Sequence, residues 1–203
     1  TDPNRYNIFV ADADGSNEVR ITDFTGREYY WPPNNVHWGS AHGPAFRPGT
    51  DRVYYRDNTE NVWYFSYANA DGSGSPRTNT RIGGHNQPLR FSEDGSQYAF
   101  AYYAGSTNNR IYVGNGAPEN RDYSWKVVTE NIRSAVEWGY GPRDDTLAFA
   151  AKPSHSDVSM LATVNSSGGG MNYHTDESFG DVADPTWAPD GQTVLFKRQV
   201  NNQ

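Results

Sequence analysis

"DPTWAPDGQTVLF", Asp184 to Phe196, is the stretch whose reading decides the fold. A short apolar start, a tryptophan, a Pro-Asp-Gly turn and a second apolar stretch describe a tight hairpin. Proline presets the turn dihedral and glycine accepts the positive one. The pattern recurs as "GPAFRPGTDRVYY" (43–55), "PLRFSEDGSQYAF" (88–100) and "AVEWGYGPRDDTLAF" (135–149). Its aromatic landmarks are Phe46, Phe91, Trp138 and Trp187, at spacings of 45, 47 and 49 residues. In three copies the closing aromatic falls nine residues after the landmark; the third copy needs two more.

Four other hairpins interleave with these: "YNIFVADADGSNEVRIT" (6–22), "NVWYFSYANADGSGSPRTNTRI" (61–82), "RIYVGNGAPENRDYSWKVVT" (110–129) and "VSMLATVNSSGGGMNYHT" (158–175). Each alternates apolar and polar residues around a Gly-rich turn, as paired antiparallel strands require. Nowhere do apolar residues recur at helical spacing for long enough to compete. A period in the forties with four strands per unit is the signature of a propeller blade. The expected fold is therefore all-β: a four-bladed β-propeller of four-stranded antiparallel blades, with residues 1–203 as one domain. The chain opens with an outer hairpin and closes with an inner one. Pairing the N-terminal outer hairpin with the C-terminal inner hairpin is expected to close the ring and protect its edges. Blades cut from a larger ring, or one ring shared by two chains, remain the alternatives.

The motif at 184–196, with weaker copies at 88–100 and 43–55, resembles the WD-like repeat of TolB-type propellers, and "DADGSN" (12–17) and "NADGSG" (69–74) look like its other half. The resemblance covers almost the whole chain and implies a propeller fold. Proteins similar in this repeat include periplasmic scaffolds that bind other proteins, propellers accompanying peptidase domains, and oligogalacturonate lyases. Such proteins commonly have six or seven blades, so four is a departure, and a smaller ring has a narrower channel.

Composition bounds the function. Lys plus Arg number 17 against 24 Asp plus Glu, a net charge of -7. That balance argues against a nucleic-acid backbone or an anionic membrane as main partner. Mean hydropathy is -0.87, and no apolar run approaches the twenty residues that a membrane-spanning helix needs. The absence of cysteine excludes a disulfide framework, a thiolate metal site and a thiol nucleophile. Fourteen tyrosines and twenty glycines, with abundant Asn and Ser, fit a secreted or periplasmic β-rich protein. The start, "TDPNRYNIFV", has no charged-then-apolar leader and no methionine, and reads as a processed mature chain or a fragment. Asn165-Ser166-Ser167 is a glycosylation acceptor if the chain passes through a eukaryotic secretory route.

In a four-stranded meander the turns after the first and third strands share one end of the blade, and the remaining turn and the blade link share the other. Residues 12–17 and 69–74 fall at the first end. At the second fall 57–60, 105–109, 152–157 and the links near His85, Arg133 and Asp181, together with His37, His42 and His155. One link is oversized. "GREYYWPPNNVHWGSAHGP" (26–44) interrupts its aromatics with prolines, is expected to hold no regular secondary structure, and makes residues 23–41 an insertion. Loops longer than the fold needs are where function concentrates.

Tyr29, Tyr30, Trp31, His37 and Trp38 in that insertion are the candidate ligand- or partner-binding residues, able to stack on sugar rings or anchor a protein. The same aromatics can instead fold back over the channel. His42, His85, Asp181 and Asp184 flank inner strands, and imidazoles with carboxylates suit a transition metal. Their spacing matches no ligand motif, and hydrogen bonding to strand ends explains them more simply. Asp12, Asp14 and Asn17 alternate oxygen ligands as a calcium loop begins, without its distant bidentate Glu; Asp71 alone persists in the second copy. No nucleophile elbow with a Ser, His and Asp set is present. His42 or His85 can serve as the base of a lyase, but no full lyase signature accompanies them. The acidic run Asp176, Glu177, Asp181, Asp184 favours a basic protein or a cation over an acidic polysaccharide. The balance points to a non-enzymatic module, without cofactor, that binds a protein or copies of itself. A carbohydrate-binding propeller comes second and a metal-dependent polysaccharide lyase third.

Overall fold

The computed structural model describes residues 6–23, 29–31, 35–37, 40–59, 62–74, 77–82, 89–103, 109–118, 125–129, 132–140, 146–153 and 155–199. It is all-β apart from short 3₁₀ geometry such as the turn at Glu177–Phe179. The first blade is a four-stranded antiparallel sheet in chain order, β5 (Ser40–Phe46), β6 (Arg52–Thr59), β7 (Val62–Asn69) and β8 (Arg77–Ile82). The second comprises β9 (Arg90–Phe91), β10 (Gln97–Tyr103), β11 (Asn109–Asn115) and β12 (Lys126–Val127). The third comprises β13 (Ile132–Tyr140), β14 (Thr146–Pro153), β15 (Met160–Asn165) and β16 (Asn172–Tyr173). A single pair, Asn109 with Ile132, joins these last two into one eight-stranded sheet.

The outer hairpin β1 (Phe9–Val10) and β2 (Val19–Arg20), and the inner hairpin β17 (Val182–Trp187) and β18 (Val194–Arg198), are each a separate two-stranded sheet. Among the described residues no strand pairing joins them. The first packs Ile8, Ile21, Val10 and Val19 on Val53, Tyr55 and Ala68 of the first blade. The last packs Val182, Val194 and Phe196 on Ala150 and Leu161 of the third.

The main core lies along the seams between whole blades, joining Tyr54 and Phe65 of the first to Tyr98, Phe100 and Ile111 of the second and Leu147 and Phe149 of the third. Strand alternation sends one side-chain set to each neighbour. Val53 and Tyr55 face the β1–β2 hairpin, while Tyr54 faces Phe91 across the next seam, ring centroids 5.0 Å apart. A recurring threonine fastens three of the four outer hairpins. The Oγ1 atoms of Thr22, Thr129 and Thr175 accept hydrogen bonds from the backbone N–H groups of Ile8, Ile111 and Leu161, each at 2.9 Å.

Two expectations about the oversized link are corrected. Tyr29–Trp31 and Asn35–His37 pair as strands β3 and β4, with Tyr29 opposite His37 and Trp31 opposite Asn35. The prolines fall at 32–33, between the two strands, so the aromatics on either side keep the ladder that suits them. The insertion also ends earlier than residue 41, because Ser40 and Ala41 already pair with Asn58 and Asp57. A bulge between His42 and Ala45 makes this possible: Gly43 takes φ 58° and Pro44 sits where no ladder hydrogen bond is asked of it. The same irregularity recurs in the last inner hairpin between Ala183 and Thr186, where Asp184 takes φ 50° before Pro185.

Candidate functional site

The β3–β4 hairpin springs from the blade end where β2 finishes and β5 begins, the end expected to carry function. Tyr29, Tyr30, Trp31 and His37 lie in it at the register positions given above. Trp38, the fifth binding candidate, and His85, a metal candidate, lie outside the described residues.

Immediately after the hairpin, β5 and β6 assemble a polar cluster that sequence reasoning resolved only at His42. Register places His42 opposite Arg56 and Ala41 opposite Asp57, whose side chain is buried. Tyr6 lays its ring against the His42 imidazole at 5.2 Å, and its carbonyl accepts the Ala41 N–H at 3.0 Å. Burial, reinforced by the Arg56 guanidinium, holds the His42 pKa below its ordinary 6.5. Burial also lowers the Arg56 pKa. It raises that of Tyr55, which the Asp57 carboxylate raises further. Burial and the neighbouring guanidinium both favour the neutral form of the imidazole. The signal that could have found this cluster is the run "YYRD" (54–57), two ionisable residues following directly on a strand's apolar positions.

The other candidates are engaged locally. Asp181 accepts the Ser159 N–H at 2.7 Å, joining the third blade to the last hairpin. Asp184 is ion-paired with Lys197. His42 lies on the first blade beside a cation, and Asp181 and Asp184 lie on the last hairpin. Among the described residues no group of three or more His, Asp or Glu is placed to hold a metal ion. In the 12–17 turn, Asp14 Oδ1 accepts from the Ser16 N–H at 2.9 Å and hydroxyl at 2.6 Å, and Asp12 Oδ2 from Asn17 Nδ2 at 2.7 Å. The Ser16 bonds hold the Asp14 carboxyl below its usual range. These oxygens serve the hairpin turn, and Asp71 repeats the arrangement with Ser73. Asp176 caps the 3₁₀ turn through Ser178 in the same way, with Glu177 exposed beside it. Exposed Asn165 accepts from the Ser167 N–H at 2.7 Å at the end of β15.

No family model matches the sequence, and no curated protein matches it. Solved structures do resemble it. TolB from Acinetobacter baumannii superposes with a TM-score of 0.71 at 17% identity over 97% of this chain and 44% of that one. An oligogalacturonate lyase in complex with manganese gives 0.64 at 13% identity, over 97% of this chain and 54% of that one. A chain of a nidogen/laminin complex gives 0.61 at 15%, over 79% of this chain and 57% of that one. The chain thus spans less than two thirds of each of these structures. At such identities the likeness bears on architecture alone, and it agrees with the repeat, the blade order and the seam packing: the chain has a TolB-like β-propeller fold.

Proposed function

We propose that residues 1–203 form one propeller domain that works by binding, engaging a protein partner or copies of itself through the end of the blades that carries the β3–β4 hairpin. The single observation that carries this reading is the hairpin's position. An aromatic-rich hairpin the blade does not need stands in the link that leads into β5, the strand carrying half-buried His42, whose imidazole lies against the ring of Tyr6. Tyr and Trp supply large contact area at low entropic cost, which is why they dominate interface hot spots. TolB and a chain of a nidogen/laminin complex share the architecture, and the second being part of a complex of proteins is in keeping with protein binding here. Four blades are read here as three whole ones plus a fourth divided between the β1–β2 and β17–β18 hairpins. A secreted or periplasmic location accords with the composition and the TolB likeness; among the described residues no helix is long and apolar enough to cross a membrane.

A photo-crosslinking residue in place of Tyr30, compared with one in place of Ser73 at the opposite blade end, tests the reading. Crosslinks to a discrete protein from Tyr30 and none from Ser73 are expected; equal or absent labelling overturns it. Sugar binding is the second reading, favoured by the same Tyr29, Tyr30, Trp31 and Trp38 set. It requires tryptophan fluorescence to shift on titration with oligosaccharides, and silence across a broad glycan panel removes it. The lyase reading rests on the manganese-bound neighbour. Among the described residues no group of three or more His, Asp or Glu is placed to hold a metal ion.

A further inference from the structure

We infer that Asn115 is a covalent modification site: its side-chain amide is displaced by the backbone nitrogen of Gly116 through a cyclic imide, leaving aspartate or isoaspartate at the end of β11. The site lies in the turn after the third strand of its blade, at the end opposite the β3–β4 hairpin. It therefore stands apart from the proposed binding surface.

The reaction needs an asparagine whose side-chain carbonyl carbon the next residue's backbone nitrogen can reach. A Cβ on that next residue crowds the approach, and glycine removes it. Asn115-Gly116 is the one Asn-Gly pair in the chain. Solvent supplies everything else. Hydroxide takes the Gly116 N–H proton, the nitrogen bonds to Cγ of Asn115, and the bond from Cγ to the amide nitrogen breaks. Ammonia leaves, its last proton coming from water. Water then opens the imide. Cleavage at Cγ gives aspartate, and cleavage at the original peptide carbonyl leaves the chain running through the side chain as isoaspartate.

The fold sets this asparagine apart from its counterparts. Asn69, Asn115 and Asn165 each end the third strand of a blade, opposite Arg52, Gln97 and Thr146 at the start of the second. Asn69 is followed by Ala70 and Asn165 by Ser166, so both following nitrogens carry a side chain beside them. Asn165 also folds its Oδ1 back to accept the Ser167 N–H at 2.7 Å, and Asn69 donates from Nδ2 to Ser73 Oγ at 3.1 Å. Exposed Asn115 reaches across the strand pair instead, its Oδ1 accepting from Gln97 Nε2 at 3.0 Å. The Gly116 N–H donates to the Ser96 carbonyl at 2.7 Å. These two bonds occupy the carbonyl and the nucleophile, so the reaction runs through local openings of this end of the β10–β11 pair.

Four Asp-Gly pairs, at Asp14, Asp71, Asp94 and Asp190, are open to the same imide. In each the carboxylate is held by its own turn, accepting the N–H of Ser16 at 2.9 Å, Ser73 at 2.8 Å, Ser96 at 2.9 Å or Gln192 at 2.8 Å. The serine hydrogen bonds keep the first three carboxyls below their usual range. An ionised carboxylate repels the nucleophile that a neutral amide admits. Asn115 is thus the reactive member of the set. Its aspartate product suits the site, because a carboxylate oxygen accepts the Gln97 amide as Oδ1 does. Isoaspartate adds a backbone atom one residue after Gly114, where Tyr98 leaves no space for even a Cβ.

The test keeps the full chain folded in mildly alkaline buffer, digests it at intervals and reads the amide-to-acid mass gain at every asparagine. Isoaspartate is counted with isoaspartyl methyltransferase. Asn115 is expected to convert ahead of every other asparagine, and severalfold faster in guanidinium chloride than in buffer. Asn115→Gln is expected to remove the isoaspartate signal. Gln97→Ala, its near-ultraviolet circular dichroism matching the wild type, is expected to raise the folded-state rate severalfold. Earlier conversion of another asparagine overturns the assignment, as does an intact Asn115 in the folded chain once the denatured chain has converted. Equal rates with and without denaturant, or a Gln97→Ala rate no higher than wild type, overturn the hairpin end as the gate.

Discussion

Phe65 of the first blade and Phe100 of the second meet edge to face, ring centroids 5.0 Å apart and planes at 81°, both fully buried. Among the described residues this contact bridges two sheets that share no strand pairing, so packing across the seam is by side chains. Phe100→Ala is expected to cost about 3–5 kcal/mol in denaturant unfolding. Tyr173→Ala, at an exposed position, should stay within about 0.5 kcal/mol. Equal losses would show that the seam is not the principal core.

The threonine fastening predicts a loss out of proportion to the atoms removed. Thr129→Val keeps shape but leaves the Ile111 N–H buried without its 2.9 Å acceptor. A cost of about 1–3 kcal/mol is expected. Thr129→Ser, which retains the hydroxyl, should recover most of it in the same urea titration.

Gly114 is required for space. A Cβ there would lie 2.3 Å from Cζ of Tyr98, whose hydroxyl accepts the Trp125 indole N–H at 2.8 Å. Gly114→Ala is expected to destabilise by about 1–3 kcal/mol through overpacking, and less in a Tyr98→Ala background. Additive losses in a double-mutant cycle would contradict the contact.

His42 gives the first blade a pH dependence of known sign. Its folded pKa is depressed below 6.5 by burial and by Arg56. The unfolded chain therefore binds the proton more readily, and the stabilisation present above pH 6.5 is lost as pH falls toward the folded value. The His42 imidazole resonance should titrate below pH 6.5. His42→Gln should flatten the fall in melting temperature over that window, and an unchanged profile would remove His42 as its source.

Asp181 separates a strand-end role from a metal role. Because its carboxylate accepts the Ser159 N–H, Asp181→Ala is expected to lower the melting temperature equally with and without chelator. A chelator effect in the wild type that vanishes in the variant would instead make Asp181 a ligand.

The sequence by itself determined the repeat: landmark aromatics at fixed spacing, Pro and Gly turns and strand alternation are local signals, and they place every blade strand in order. They also located the oversized link and its aromatics. Only the tertiary structure decided what depends on residues far apart in the chain. The β3–β4 pairing depends on register between strands on either side of the prolines, and the bulge beside Gly43 decided where β5 begins. The neighbours of His42, namely Arg56 and Tyr6, are set by register and by packing of the β1–β2 hairpin on the first blade. Asp181 and Asp184 turned to a backbone amide and a lysine that no spacing reveals. Which apolar residues stay exposed was likewise invisible: Leu195 and Phe46 carry the same pattern as Tyr54 and Phe91, yet both are more than half exposed where those two rings meet edge-on across a seam.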